Sequence, residues 1–156
     1  MYKNRKAVSP VIATVILVAV AITISVAVAY WMGGISSQYT KFEKVEVSSA
    51  ICESVTGGWK ISLSLKNTGT AQVTLKNVFI NDVEVNAYTA GATAPVATQA
   101  LVTYDLTAGL GLSSGQSQST TIYIASDYKF FSAGTTINIK IHSAGGMDYL
   151  KLIELV

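Results

Sequence analysis

The sequence predicts an α+β protein, a long N-terminal hydrophobic α-helix followed by an antiparallel β-sandwich. Three observations carry this reading. From Ala7 through Thr40 there is no Asp, Glu, Lys, Arg or His. Beyond Lys44 the apolar residues switch to a period of two, the spacing of a strand with one buried face. Between the alternating runs stand turn residues, Gly57-Gly58, Asn67-Thr68-Gly69, Asn81-Asp82 and Gly145-Gly146, the last pair reading as a hairpin tip.

The helix comes first. Val8 to Met32 is 25 residues, and at about 1.5 Å per residue it reaches roughly 37 Å, enough to cross a hydrocarbon layer of about 30 Å with some tilt. Val11 to Val28 contains 11 Val, Ile or Leu residues. At roughly 0.3 to 0.6 kcal/mol each, they favour insertion by on the order of 3 to 7 kcal/mol. A lone strand would leave its backbone unpaired in lipid, so a single spanning element must be helical. Ser9 suits the N-cap and Pro10 the first helical position, where a missing amide costs nothing. Tyr30-Trp31 stands where the apolar run ends, as interfacial aromatics do. Gly33-Gly34 then weakens the helix, giving an expected helix from Pro10 to Thr40 with a soft spot at the glycines.

Small residues recur every four positions inside it. Ala21, Ser25, Ala29 and Gly33 form one stripe, and Ala19, Thr23 and Ala27 a second. Such stripes let helix backbones approach closely, so they are read as packing positions between helices. The hydroxyls of Thr14, Thr23 and Ser25 are expected to bond to carbonyls one turn earlier rather than to mark a polar pathway.

Charge fixes the orientation. Lys3, Arg5 and Lys6 crowd the first six residues, whereas from Lys41 onward there are 8 Lys and 9 Asp or Glu. Positive residues beside a spanning segment stay in the cytoplasm, which places Lys41 to Val156 outside the cell. The near-neutral remainder offers no basic face for nucleic acid. The expected division is residues 1–7 as a basic leader, 8–42 as the hydrophobic helix, and 43–156 as an extracellular β-domain.

In that domain, strand signals run over Lys44 to Ile51, Trp59 to Leu65, Ala71 to Ile80, Val83 to Val85, Leu101 to Tyr104, Ser119 to Ile124, Thr135 to His142 and Tyr149 to Val156. Seven or eight short strands with turn residues between them favour a sandwich over alternating βα units. Asn86 to Gln118, rich in Ala, Thr, Gly and Ser, reads as long surface loops around one strand.

Residues that could carry chemistry are few. His142 is the only histidine, with no second cluster of ligands to complete a zinc site, and reads as structural. Asp82 and Glu84 can share one face of a hairpin, as a solvated strand end. Gly109 to Gly115 fails the phosphate-loop spacing because Ser114 stands at the third glycine position and no Lys follows; it reads as a loop. Cys52 is the only cysteine, so no internal disulfide forms, and in a strand it reads as a small apolar side chain. No Asn-X-Ser/Thr sequon occurs. Neither an enzyme activity, a cofactor nor a metal is indicated.

Lys6-Ala7, Val8-Ser9-Pro10-Val11-Ile12 and the uncharged helix behind them closely resemble the N-terminus of archaeal type IV pilins. The resemblance covers about the first 33 residues, and beyond them only the general layout, an extracellular immunoglobulin-like β-sandwich, is similar. It implies a class III signal peptide, cut by a prepilin peptidase after Ala7, so that the mature chain begins at Val8. It also implies a homo-oligomer, a helical filament of identical subunits built by pilus assembly machinery and used for adhesion or cell contact. Leu65-Lys66-Asn67-Thr68-Gly69 and Ser114-Gly115-Gln116-Ser117 look like phrases that recur in such surface domains. Bacterial type IV pilins carry a glutamate at the fifth mature position, where this chain has Ile12, leaving apolar packing to set the subunit stagger.

Two other readings stay open from the residues. One is a monomeric, membrane-anchored surface protein whose β-domain binds a ligand. The other is a secreted protein cut after Ala29, since Ala27-Val28-Ala29 satisfies the general signal-peptidase pattern, although the apolar run exceeds the usual core of about 7 to 15 residues.

Overall fold

A computed structural model describes residues 8–85, 87–88, 92–97, 99–102 and 109–156. The chain divides into two compact units, Met1–Lys41 and Phe42–Val156. In the first, one α-helix, α1, spans Val8–Tyr39 without interruption. It passes through Gly33 and Gly34 as helix, so those residues do not break it. The continuous helix on either side is enough to carry two glycines, each costing about 1 kcal/mol relative to Ala.

The second unit is built from strands β1 (Val45–Val55), β2 (Gly58–Asn67), β3 (Val73–Ile80), β4 (Val83–Glu84), β5 (Ala87–Tyr88), β6 (Ala100–Val102), β7 (Leu110–Leu112), β8 (Ser117–Ala125), β9 (Thr136–Ser143) and β10 (Asp148–Glu154). They form two sheets. Sheet A has the order β1-β2-β8-β6-β5, and sheet B the order β10-β9-β3-β4 with β7 paired to β3. Every pairing is antiparallel except β5 with β6.

Strict alternation builds the core between them. In β2 the side chains of Trp59, Ile61, Leu63 and Leu65 are buried while Lys60, Ser62, Ser64 and Lys66 are not. Ile137, Ile139 and Ile141 of β9 and Val73, Leu75, Val78 and Ile80 of β3 close the core from sheet B. At roughly 1.5 to 3 kcal/mol for each large aliphatic side chain removed from water, this layer is the main stabilising contribution to the domain.

Two segments depart from the sequence expectation. β1 runs four residues past Ile51, and within it a register shift between Val47 and Ser49 changes which side chains face inward. Val45 and Val47 point to the core before the bulge, Ala50 and Cys52 after it, and Ile51 is left exposed. The region expected to be mostly loop contains three short strands, β5, β6 and β7. Within it Leu110 and Leu112 are buried and pair with Leu75 and Val73. The Gly109 to Gly115 stretch is therefore a core strand running into a turn rather than a loop throughout.

Sheet edges are blunted on one side. β1 carries the bulge just described, and in β10 the exposed Lys151 occupies the face shared with the core-packed Tyr149 and Ile153. A bulge and a charged side chain on an edge strand are two ways of discouraging edge-to-edge strand addition.

Candidate functional site

The first candidate is α1 itself. Pro10–Tyr39 is long and apolar enough to cross a membrane, and none of its most apolar window is buried within the chain. Lys6 and Ala7 lie outside the described residues, and helix assignment begins at Val8, so Ser9 and Pro10 stand in the first turn. In that turn the amides have no intrahelical partner, so a proline fits. Val11, Ile12, Val15, Ile16, Leu17, Val18, Val20, Ile22, Ile24, Val26 and Val28 are all exposed.

The polar atoms on this surface are closed off internally. Thr14 Oγ1 donates to Val11 O at 2.8 Å, Thr23 Oγ1 to Ala19 O at 2.8 Å, and Ser25 Oγ to Ala21 O at 2.7 Å. The last two bonds lie along the two small-residue stripes, so the hydroxyls there present an apolar, low-profile surface. Among the described residues, and apart from the helix's own backbone, no atom lies within 4 Å of a Cβ built at Gly33 or Gly34, so no packing contact among them requires glycine at either place.

The second candidate is the end of the β-domain where the chain enters it. Here the two phrases Leu65 to Gly69 and Ser114 to Ser117 come together. The Asn67 amide donates to Gln116 O at 2.9 Å, the Gly115 amide to Asn67 O at 2.9 Å, and Ser114 Oγ to Gly69 O at 2.7 Å. The Asn67 side chain is fully buried. Its Nδ2 donates to Ala71 O at 2.8 Å and Leu112 O at 2.9 Å, and its Oδ1 accepts from the Gly69 amide at 2.9 Å. A Cβ on Gly69 would come within 2.5 Å of Phe42 O and 2.6 Å of Lys44 N, so only glycine lets the loop close over the entering chain. The sequence marks both phrases but not what they hold.

Several of the remaining polar groups find local partners, while Thr120 Oγ1, Asn138 Oδ1 and the Tyr149 hydroxyl are buried without a hydrogen bond among the described residues. His142 Nδ1 lies 2.5 Å from Asp148 Oδ1 across the β9–β10 pair. Asp82 binds Lys140 at 3.0 Å, while Glu84 accepts from Asn77, so the two carboxylates take separate partners rather than converge. Among the described residues no group of three His, Cys, Asp or Glu could hold a metal. Cys52 is half-buried against the core. Burial raises the Tyr128 hydroxyl pKa. Burial raises that of Tyr149 as well, with the charge of Glu43 adding to it and the Val45 backbone offsetting part. Lys60 is raised by its hydrogen bond to Glu53.

An exposed apolar helix and an antiparallel two-sheet β-domain with no assembled catalytic constellation among its described residues define a protein whose recognisable surface is the helix. No family model matches the chain, and no curated protein matches it. Among solved structures it is similar to the archaellum periplasmic stator protein complex FlaF and FlaG from Sulfolobus acidocaldarius, with 15% identity, 72% of this chain and 90% of that chain covered, and a TM-score of 0.46. It is also similar to the Iho670 flagellar-like filament, with 12% identity, 94% of this chain and 98% of that chain covered, and a TM-score of 0.41.

Proposed function

We propose that this chain is a pilin, the structural subunit of an extracellular type IV pilus-like filament, polymerising through its N-terminal helix and used for adhesion or cell contact. The observation that carries the reading is α1: Pro10–Tyr39 is long and apolar enough to cross a membrane, and its most apolar stretch is wholly exposed among the described residues. A helix apolar on every side needs lipid or other such helices around it. Leaving its 11 Val, Ile and Leu side chains between Val11 and Val28 in water would forgo on the order of 15 to 30 kcal/mol.

Passing from lipid to a filament core changes that transfer energy little, because hydrocarbon and packed side chains are similarly apolar. Close packing then decides between the two. This is the role assigned to Ala19, Ala21, Thr23, Ser25, Ala27, Ala29 and Gly33. The basic leader ending in Lys6-Ala7 holds the precursor in the membrane with its N-terminus inside, and a prepilin peptidase cutting before Val8 removes three charges that an apolar core could not take without heavy desolvation. The homo-oligomer then forms with the β-domains outward.

Electron microscopy of sheared surface material decides between this reading and an anchored monomer. Filaments labelled by antibody to the β-domain are expected; surface protein without filaments contradicts the proposal.

A further inference from the structure

Phe42 to Lys44 belong to no strand, yet they are held from two sides. On one side is the β2–β3 connection, which links sheet A to sheet B: the amides of Thr68 and Gly69 donate to Lys44 O at 2.8 and 3.1 Å, and those of Thr70 and Ala71 donate to Phe42 O at 3.1 and 3.2 Å. The Phe42 amide in turn donates to Thr70 Oγ1 at 3.1 Å. From sheet B's side, Glu43 Oε2 accepts from Ser143 Oγ at 3.0 Å. Ser143 is fully buried and its Oγ also accepts from the Met147 amide at 3.2 Å. The Glu43 carboxylate lies so close over the β9–β10 turn that a Cβ on Gly145 would come within 2.5 Å of both its oxygens. A simple connection would need none of these contacts.

The strand layout gives the direction in which they act. β1 pairs with β2 from Val45 opposite Asn67 to Val55 opposite Gly58. At the far end of β2, Trp59 Nε1 donates to Val156 O at 2.9 Å. A pull between Phe42 and Val156 therefore runs along the strands. It bears on the bonds that hold Phe42 to Lys44, here called the strap, to the β2–β3 connection and to Ser143 of β9.

We propose that Phe42 to Lys44 form a tension clamp, which spreads a pull arriving at Phe42 over both sheets and keeps the domain from opening at its N-terminal end. The proposal rests on the filament reading, since a subunit held by its helix and loaded through its β-domain experiences such a pull. Glu43 is the member that reaches sheet B, through a charge-assisted bond that is roughly twice as strong as a neutral one. Opening under force follows the unfolding rate rather than the equilibrium stability. Contacts that must break first should therefore weigh on that rate out of proportion to their effect at equilibrium.

The test uses the full chain held by α1 in a lipid nanodisc, with a DNA handle after Val156 and a constant pulling force. Gly145→Ala displaces the Glu43 carboxylate without altering Glu43, and Ser143→Ala removes its donor. Ile137→Val, at the other end of sheet B, serves as a control, with rates compared at equal distance from each variant's urea midpoint. Each strap variant is expected to speed unfolding under load at least tenfold, against less than threefold for the control. Strap variants that unfold no faster than the control overturn the clamp. A clamp that passes while microscopy finds no filaments would remove the filament reading alone.

Discussion

The side-chain oxygen of Asn67 accepts the amide of Gly69 at 2.9 Å, closing a two-residue turn whose remaining bonds tie β2, β7 and the entering chain into one knot. Asn67→Ala leaves the Gly69 amide and the carbonyls of Ala71 and Leu112 without this partner. At about 1 to 3 kcal/mol for a buried polar group left unpaired, with partial relaxation, the expected loss is about 2 to 4 kcal/mol. Urea unfolding, read as a lowered midpoint, checks it. Asn67→Asp should cost more, since it loses two donors and buries a charge.

Lys129 sits at φ 50° in the turn Tyr128–Phe130, in the left-handed region that disfavours side chains. Tyr128 and Phe131 pack onto the core on either side of it, which forces the backbone between them. Lys129→Gly relieves the strain and should raise stability by about 0.5 kcal/mol after the entropy cost of glycine. A β-branched Lys129→Val should lower it, and thermal unfolding distinguishes the two signs.

Alkaline pH should weaken the β-domain. Burial raises the folded-state pKa of both Tyr128 and Tyr149 above the ordinary tyrosine value of 10.0. A group raised in the folded state contributes stability that is fully present below its unfolded pKa and is lost as pH rises through its folded value. The urea midpoint should hold up to about pH 9 and fall above about pH 10. Tyr149→Phe, which removes one of these two tyrosines, should make the fall shallower; an unchanged slope would dismiss burial of Tyr149 as its cause.

In the helix, Ala21→Trp or Ala29→Trp should abolish filament assembly while leaving the β-domain folded. A bulky ring on a small-residue stripe holds neighbouring helices apart. Normal filaments from either variant, seen by negative-stain microscopy, would count against the packing role.

Elements with uniform periodicity are legible in the amino-acid sequence alone. β2 and β9 alternate without a break, and the uncharged run of α1 permits no other spanning element. β1 is legible as a strand to Ile51 but not in its inward-facing residues, because the bulge before Ser49 inverts the phase, turning Ala50 and Cys52 inward and leaving Ile51 exposed. β7 escapes a periodicity reading because its three residues carry too little signal, although Leu110 and Leu112 both reach the core. The clamp is not legible either. Glu43 and Ser143 lie 100 positions apart, and nothing in the local pattern of either one announces the other. What the sequence does mark, Asn67 to Gly69 and Ser114 to Ser117, proves to be two halves of one hydrogen-bonded knot.

On the filament reading, the helix serves first a membrane and then a filament core, with the basic leader removed between the two. N-terminal sequencing of this protein recovered from sheared surface filaments tests that directly. A mature chain beginning at Val8 is the predicted result, and a chain beginning at Met1 or at Tyr30 would contradict it.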